Sequence, residues 1–446
     1  MDLKREDIEQ AKYDSIDNNE YEESAMVRKR LEWFQDQKVG LIFHWGVYAV
    51  SGVVESWQLS EGDEWARPGW KGDIKKLQKD YWDMNKKFNP TKFNPDSWAE
   101  VAEKAGMKYM VFTTKHHDGF NMFDTKYSDY KVTGKDCPFN NNPRANIVKE
   151  VFDAFRKKNI GIGAYYSKAD WHCPYYWVPG ERALSRYASY DEKENPEMWN
   201  KFVEFVHGQF EELMRDYGHV DILWLDAGWV CAPREDIKMD EIAKMARSYQ
   251  PELLIVDRTV GGRHENYITP ERCVPDAPLE KPWESCITMA NNWGYVPNDE
   301  YKSITEVIHT LVDIVAKGGN LLLGVGPKPD GTLPEEAVNG LLKVGDWLNV
   351  NGEAIYGTRA YKPYREGKCA FTQKGNDIYV IYLMDEKEKE LPESIEFEKA
   401  DFTGRKAVSI LGSNEGVSLV NEGNITKIVI PKAARKIKDH AVVFKL

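Results

Sequence analysis

Short apolar runs alternate with amphipathic stretches between about residues 40 and 350. We interpret the apolar runs as β-strands, and the stretches in which apolar residues recur every three or four positions as helices. Strands that alternate with helices are typical of a parallel α/β fold. The predicted strands cover residues 40–45, 109–114, 160–166, 220–226, 253–257 and 320–326. The pattern predicts a (β/α)8-like TIM barrel over residues 29–356.

The pattern changes after residue 356. Short apolar runs at 369–372, 377–383, 407–411, 426–431 and 441–444 are separated by charged or glycine-containing turns, with no helical periodicity between them. This is typical of an antiparallel β-sandwich, which we predict over residues 357–446. Residues 1–28 are polar and acidic, and we predict an N-terminal arm there.

Charge and composition narrow the classes of function. The net charge is -12, and no basic stripe offsets it, which argues against nucleic-acid binding. No apolar window approaches the roughly 18 residues of a membrane span. The first residues lack the apolar core of a signal peptide, so we expect a cytoplasmic protein, or a periplasmic or secreted one if a leader has been removed. The six cysteines form no CxxC pair, which predicts free thiols and no structural zinc.

Polar and aromatic side chains gather at the carboxyl ends of the predicted strands. In a parallel α/β barrel these ends carry the substrate-binding loops. Asp226 is the most informative of them, because it ends an apolar strand and is followed at once by an Ala-Gly turn. The full set is His44, His116, His117, Tyr165, Trp224, Asp226 and Arg258. Each could be a core or capping residue alone, but together they predict an active site.

Two kinds of chemistry fit this set. Three histidines and an aspartate resemble a metal hydrolase site, but adjacent His116 and His117 would point to opposite faces of an extended strand, and no HExxH motif is present. We therefore expect no metal and no organic cofactor. Glycoside hydrolysis needs two carboxyl groups, a nucleophile and an acid. Asp226 is the candidate nucleophile, and Glu271 and Glu284 are the candidate acids, the latter beside an apolar tryptophan that could raise its pKa.

Four separated motifs resemble glycoside hydrolase family 29, the retaining α-L-fucosidases, and the resemblance covers the whole predicted barrel. The motifs are Phe-His-Trp-Gly-Val-Tyr at 43–48 with Glu-Ser-Trp at 55–57, Thr-Lys-His-His-Asp-Gly-Phe at 114–120 with Tyr-Ser-Asp-Tyr at 127–130, Asp-Ile-Leu-Trp-Leu-Asp at 221–226, and Lys-Gly-Gly-Asn-Leu-Leu-Leu-Gly-Val-Gly-Pro at 317–327 with Asp-Gly at 330–331. The resemblance also implies the barrel and the trailing β-sandwich.

The resemblance implies a role for each site residue. Asp226 is matched to the nucleophile, and Glu271 is favoured over Glu284 as the acid/base. The histidines at 44, 116 and 117 are matched to residues that bind sugar hydroxyls, and Tyr165 and Trp224 to neighbouring site positions. Arg258 is matched to an arginine near the second carboxylate, and Trp293 to an aromatic residue under the C5 methyl group. Glu55 and Trp57 resemble a pocket-lining pair, although Ser56 separates them here.

The sequence therefore predicts a retaining, exo-acting α-L-fucosidase that acts on fucosylated oligosaccharides or glycoconjugates. Two other functions are compatible with the residues. A retaining glycosidase of a related sugar, such as an α-L-galactoside, would be favoured by a polar group near the C5 methyl pocket, whereas Trp293 favours fucose. A non-catalytic carbohydrate-binding barrel is disfavoured by the intact carboxylates.

Overall fold

The computed structural model describes residues 24–446 except 182, 184, 406 and 424. Up to residue 351 the chain is built around a curved sheet of seven parallel strands. The strand order is β5-β4-β3-β2-β1-β7-β6, and all of these strands are largely buried. Their bounds are β1 Val39–Phe43, β2 Tyr109–Lys115, β3 Gly161–Ser167, β4 Ile222–Asp226, β5 Leu254–Asp257, β6 Glu284–Thr288 and β7 Asn320–Val325.

Amphipathic helices follow most of these strands and bury one face each. Their bounds are α1 Ala25–Gln37, α2 Ile74–Trp82, α3 Pro95–Lys104, α4 Ile147–Arg156, α5 Pro196–Asp216, α6 Met239–Tyr249, α7 Ile304–Ala316 and α8 Glu335–Asn351. Several begin at a capping residue; the Ser303 side chain, for example, accepts the Glu306 N–H at 3.2 Å before α7. The sequence pattern predicts the other six, over residues 94–106, 146–158, 196–217, 236–249, 303–317 and 334–350, but does not predict α1 or α2.

The sheet is open between β5 and β6, so the predicted eightfold barrel is wrong in strand number and closure. Residues 265–272 occupy the gap without forming a regular strand. The Asn266 N–H donates to the Ile255 carbonyl on one side, and the Ile268 N–H donates to Pro282 on the other. Pro270 has no N–H and interrupts regular pairing. This irregular segment carries Glu271 to the carboxyl end of the sheet.

The unpredicted strand β6 shows why the sequence pattern missed one element. It reads Glu-Ser-Cys-Ile-Thr and is buried throughout, yet it contains no apolar run. Buried parallel strands usually read as continuous hydrophobic runs. Here the polar side chains of Glu284 and Ser285 find partners inside the protein, which lets a polar strand occupy a core position.

Helix α1 covers the amino-terminal end of the sheet. Phe34 packs flat on Tyr267, with ring centroids 4.0 Å apart, and the Phe34 carbonyl accepts from Asn320 Nδ2 at 2.7 Å. Among the described residues, the interior is therefore filled from this side. Residues 1–23 of the predicted N-terminal arm lie outside the described residues. No helix among the described residues is long and apolar enough to cross a membrane.

Two antiparallel sheets follow α8, and their facing side chains share one core. A five-stranded sheet has the order β12-β15-β10-β9-β8, and a three-stranded sheet the order β11-β14-β13. Phe371 of the first packs edge-on against Phe397 of the second, with centroids 5.7 Å apart. The strands are β8 Arg359–Glu366, β9 Cys369–Lys374, β10 Asp377–Leu383, β11 Ser394–Phe397, β12 Ser409–Ile410, β13 Ser418–Glu422, β14 Ile425–Val429 and β15 Ala441–Lys445. The sequence did not predict β8, β11 or β13.

Lys38 is an unusual residue at the junction between α1 and β1. Its side chain is 0% exposed, and its Nζ has no hydrogen-bond partner among the described residues. Burial lowers the pKa of this amine to about 7, with a smaller contribution from Arg359. Burying an unpaired ammonium group is costly, so Lys38 lowers the free energy of unfolding.

We predict that Lys38→Met raises the free energy of unfolding by about 1–4 kcal/mol at pH about 6. Between the folded pKa of about 7 and the ordinary lysine pKa of 10.5, the unfolded chain binds a proton here and the folded chain does not. The penalty therefore fades as pH rises through this window, and the advantage of the variant should shrink with it. Urea unfolding at several pH values checks this, with exposed Lys29→Met as the control. Equal stability of Lys38→Met and wild type at pH about 6 would contradict the account.

Candidate active site

Asp226 ends β4 at the carboxyl end of the sheet, and three neighbouring segments hold it. Its Oδ2 accepts a hydrogen bond from the Tyr165 hydroxyl of β3 at 2.6 Å. Its Oδ1 accepts one from Arg258 Nη1 at 2.8 Å. His117 Nε2 lies 3.9 Å from Oδ2. The side chain remains 22% exposed, so the carboxylate is fixed in place and still accessible from the carboxyl end.

Arg258 follows β5 and joins two carboxylates through one guanidinium. Its Nη2 donates to Glu271 Oε2 at 3.0 Å, while Nη1 donates to Asp226. Its Nε donates to Thr269 Oγ1 at 3.0 Å, and its guanidinium carbon lies 4.2 Å from the centre of the Trp224 ring. A planar, always-charged fork of this kind suits two acceptors at fixed positions.

The charge state of Asp226 follows from these neighbours. Burial alone would raise its pKa, but the positive charge of Arg258 and the hydrogen bond from Tyr165 hold the pKa well below its usual range. Burial alone would lower the pKa of Arg258, but Asp226, Cys286 and Glu271 together outweigh that effect, and the pKa moves up. Asp226 is therefore a carboxylate at neutral pH.

His116 and His117 both face this carboxylate. Their ring centroids are 4.2 Å apart, so the expectation that they point to opposite faces is wrong. The register of β2 shifts between Thr113 and Lys115, and the histidines lie beyond the last paired residue, where strand alternation no longer applies. His116 Nδ1 lies 2.5 Å from Ser56 Oγ, and His117 Nδ1 lies 2.7 Å from Ser167 Oγ.

The histidines are neutral. Burial lowers the pKa of His116 to about 4, and burial together with the neighbouring His116 lowers the pKa of His44 and His117 well below their usual range. The Ser167 hydroxyl donates to the Ala169 carbonyl at 2.7 Å, so its oxygen accepts from His117 Nδ1. This leaves a lone pair on His117 Nε2, which can accept a hydrogen bond from a ligand hydroxyl.

His116, His117 and Asp226 also form a group that could hold a metal ion, with candidate ligand atoms within 4.8 Å of one another. The surroundings oppose a cation. Both oxygens of Asp226 already accept hydrogen bonds from Arg258 and Tyr165, and the guanidinium charge lies beside the position a metal would take. The donor set fits a neutral hydroxylated ligand better than a metal ion.

Aromatic rings form one wall of the site and its base. Trp293 stacks on His44 with centroids 5.0 Å apart, and its Nε1 donates to Glu271 Oε1 at 3.2 Å. Deeper in the sheet, Trp224 stacks on Tyr165 at 5.4 Å. Flat apolar faces with polar edges are suited to sugar rings.

The three residues at 55–57 each contact a different part of the site. Glu55 is buried, and its Oε1 accepts the Gly294 N–H at 2.8 Å, which fixes the backbone beside Trp293. Burial raises the pKa of Glu55 to about 7. Ser56 contacts His116, and the Trp57 ring lies 5.0 Å from that of His117. The intervening serine thus has a partner of its own.

Glu284 occupies a different position from the other carboxyl groups. It is fully buried as the first residue of β6, where it accepts hydrogen bonds from Tyr109 Oη at 2.5 Å and Trp224 Nε1 at 3.0 Å. Burial raises its pKa to about 7. Trp224 lies in the middle of β4, two residues before Asp226, so Glu284 lies deeper in the sheet than Asp226.

Sequence reasoning missed three residues that hold the site: Ser56, Ser167 and Thr269. Ser167 follows directly on the predicted strand 160–166, so a search of every polar strand end would have found it. Ser56 and Thr269 lie in irregular segments, where no periodicity signals their orientation.

Comparisons with known proteins agree on one family. A family model described as alpha-L-fucosidase matches residues 7–353. The tissue alpha-L-fucosidase of Bos taurus is 31% identical over 373 residues, which cover 79% of this chain and 74% of the relative. Among solved structures, alpha-L-fucosidase isoenzyme 1 from Paenibacillus thiaminolyticus is 32% identical with a TM-score of 0.78, covering 95% of this chain and 99% of that one. Thermotoga maritima alpha-fucosidase in complex with fucose is 28% identical with a TM-score of 0.74, covering 94% and 98%.

We predict that divalent metals do not bind at the His116–His117–Asp226 group, because Arg258 supplies the opposing positive charge. The melting temperature should be the same with EDTA, with zinc and with manganese. His117→Ala serves as the control, since it removes one candidate ligand. A zinc-induced rise in melting temperature that disappears in His117→Ala would contradict this interpretation.

Proposed function

The chain belongs to the alpha-L-fucosidase family of glycoside hydrolases, and we propose that it releases terminal α-L-fucosyl residues from fucosylated glycans by a two-step mechanism that retains the anomeric configuration. In this proposal Asp226 is the nucleophile and Glu271 is the acid/base. The substrate is a fucosylated oligosaccharide or glycoconjugate, and the fucose unit is the terminal one.

The observation that carries the proposal is the shared guanidinium of Arg258, at 2.8 Å from Asp226 and 3.0 Å from Glu271. Retaining glycosidases hold their two carboxyl groups about 5–5.5 Å apart, whereas inverting ones leave about 6.5–9.5 Å for a water molecule. The two carboxyl groups bind neighbouring nitrogens of one guanidinium, which favours the shorter separation found in retaining glycosidases. Glu284 has no such connection to Asp226, which supports Glu271 as the acid/base.

In the first step Asp226 attacks the anomeric carbon. The bond from this carbon to the leaving-group oxygen breaks, a bond to the Asp226 carboxylate forms, and protonated Glu271 gives its proton to the departing oxygen. The depressed pKa of Asp226 supports this role, because the nucleophile must be ionised at neutral pH.

In the second step Glu271 acts as a base. It takes a proton from water, whose oxygen bonds to the anomeric carbon while the ester to Asp226 breaks. An esterified Asp226 carries no charge, so Arg258 is then free to neutralise Glu271 alone. This favours the carboxylate form of Glu271 at the stage where a base is required.

The neutral histidines suit the binding of sugar hydroxyls. The lone pair of His117 Nε2 can accept a hydroxyl proton beside Asp226, and such hydrogen bonds can strengthen as positive charge develops on the sugar ring. Trp293 offers an apolar face for the C5 methyl group. The filled interior beneath Trp224 supports exo action, since only the end of a glycan can enter.

We predict that Glu271→Ala lowers kcat/KM about 10²–10⁴-fold for fucosyl oligosaccharides and much less for 4-nitrophenyl α-L-fucoside, whose leaving group needs little protonation. Azide should restore turnover of the aryl fucoside and give α-L-fucosyl azide, because it replaces water in the second step.

Glu284→Gln is the matched control. It should lower activity to a similar extent on both substrates and should not respond to azide. If Glu284→Gln shows the leaving-group dependence and the azide product instead, the acid/base assignment is wrong. Wild-type protein that does not hydrolyse 4-nitrophenyl α-L-fucoside would contradict the proposed function itself.

A further inference from the structure

A rigid loop beside the candidate active site presents an exposed tryptophan. We refer to residues 57–67 as the Trp65 loop. The guanidinium of Arg67, only 8% exposed, donates to four backbone carbonyls within it: Trp57 at 3.3 Å, Gln58 at 2.9 Å, Ser60 at 2.9 Å and Glu61 at 3.1 Å. These bonds close the loop on a single buried cation, so its shape is fixed before any ligand binds.

Trp65 lies on the outer face of this loop and is 40% exposed. Its Nε1 donates to Asp63 Oδ1 at 3.1 Å, which sets the direction of the ring. Asp63 also accepts from Arg186 at 2.6 Å, and Arg186 lies over the Trp57 ring at 4.9 Å. The indole is therefore held in one orientation although much of it faces water.

Ring contacts connect Trp65 to Asp226. The Trp65 and Trp57 centroids are 5.7 Å apart, and Trp57 is 5.0 Å from the His117 ring, whose Nε2 is 3.9 Å from Asp226. These three contacts lead from the proposed nucleophile to the surface. Trp65 is thus continuous with the pocket.

The residues just before the Trp65 loop lie beside the segment that contacts the proposed acid, Glu271. Two residues before Trp57, Glu55 accepts the Gly294 N–H, and the adjacent Trp293 donates to Glu271. The departing oxygen is protonated by Glu271, so the leaving group passes the rim that this segment helps to form. The loop is placed to meet the part of the substrate beyond the fucose unit.

We infer that Trp65 is a stacking platform for the saccharide that forms the leaving group, a subsite next to the fucose pocket; this rests on the proposed function. Sugar rings expose C–H faces that pack on a fixed indole. A single exposed tryptophan needs no explanation by itself. Trp65 differs from ordinary surface tryptophans by its fixed loop and its contact with the pocket wall. A pre-organised platform contributes affinity because little flexibility is lost on binding.

The test compares substrates with and without a leaving-group sugar. Wild type and Trp65→Ala are assayed with α-L-fucosyl fluoride, whose leaving group is one atom, and with 2′-fucosyllactose and 3-fucosyllactose. Tyr249→Ala is the control, since Tyr249 is also 40% exposed but is the last residue of α6, where its hydroxyl donates to Glu211 rather than contacting the Trp65 loop. Sedimentation of each variant reports its association state.

We expect Trp65→Ala to lower kcat/KM about five- to tenfold on the better fucosyllactose, the loss of one stacking contact, with fluoride hydrolysis unchanged. Trp65→Phe should recover part of the loss, and Tyr249→Ala should change kcat/KM for neither substrate.

Equal losses on both substrates, no loss on either, or a wild type that hydrolyses the fluoride but neither fucosyllactose would each overturn the inference. So would a variant with unchanged kinetics and altered association, which would assign Trp65 to contact with a second copy of the chain. Failure of the wild type on the fluoride would instead contradict the proposed function.

Discussion

The buried guanidinium of Arg258 is the interaction on which the candidate site depends. Two carboxyl groups that lie close together in a largely buried site repel each other when both are ionised, unless a positive charge lies beside them. Arg258 provides that charge at 2.8 Å from Asp226 and 3.0 Å from Glu271, and it opposes the effect of burial on the Asp226 pKa. The same charge disfavours a metal ion, and the histidines beside it are neutral.

The position of Arg258 in turn depends on the opening in the sheet. Thr269 and Glu271, which both accept hydrogen bonds from Arg258, lie in the irregular segment between β5 and β6. Residues two apart in an extended segment share a face, so Thr269 and Glu271 both reach Arg258, while Pro270 between them has no N–H for regular pairing. From the opposite side, Trp224 supports the guanidinium, and Glu284 fixes Trp224 by accepting a hydrogen bond from Trp224 Nε1. The irregular segment and the buried glutamate therefore both help to hold Arg258 between the two carboxyl groups.

Sequence patterns predicted the parts of this arrangement in which buried apolar residues recur at the period of a strand or a helix. Six strands were found as apolar runs, and the position of Asp226 at a strand end followed from them. Strand β6 was missed because its buried polar residues have partners that are distant in sequence. The common orientation of His116 and His117 depends on a register shift, which periodicity does not encode. In the C-terminal sheets β8, β11 and β13 have half-exposed or exposed faces, so their composition resembles that of turns.

The central claim is that Asp226 forms a covalent bond to the sugar. It is tested most directly with 2-deoxy-2-fluoro-α-L-fucosyl fluoride. The fluorine at C2 slows both formation and breakdown of the intermediate, whereas the good leaving group speeds formation alone, so the intermediate accumulates. Proteolysis and mass spectrometry of the treated protein should find one fluorofucosyl group on the peptide that contains Asp226, attached to that residue. Attachment to Glu271 or Glu284, or an enzyme that turns over fucosides and yields no adduct, would contradict the account.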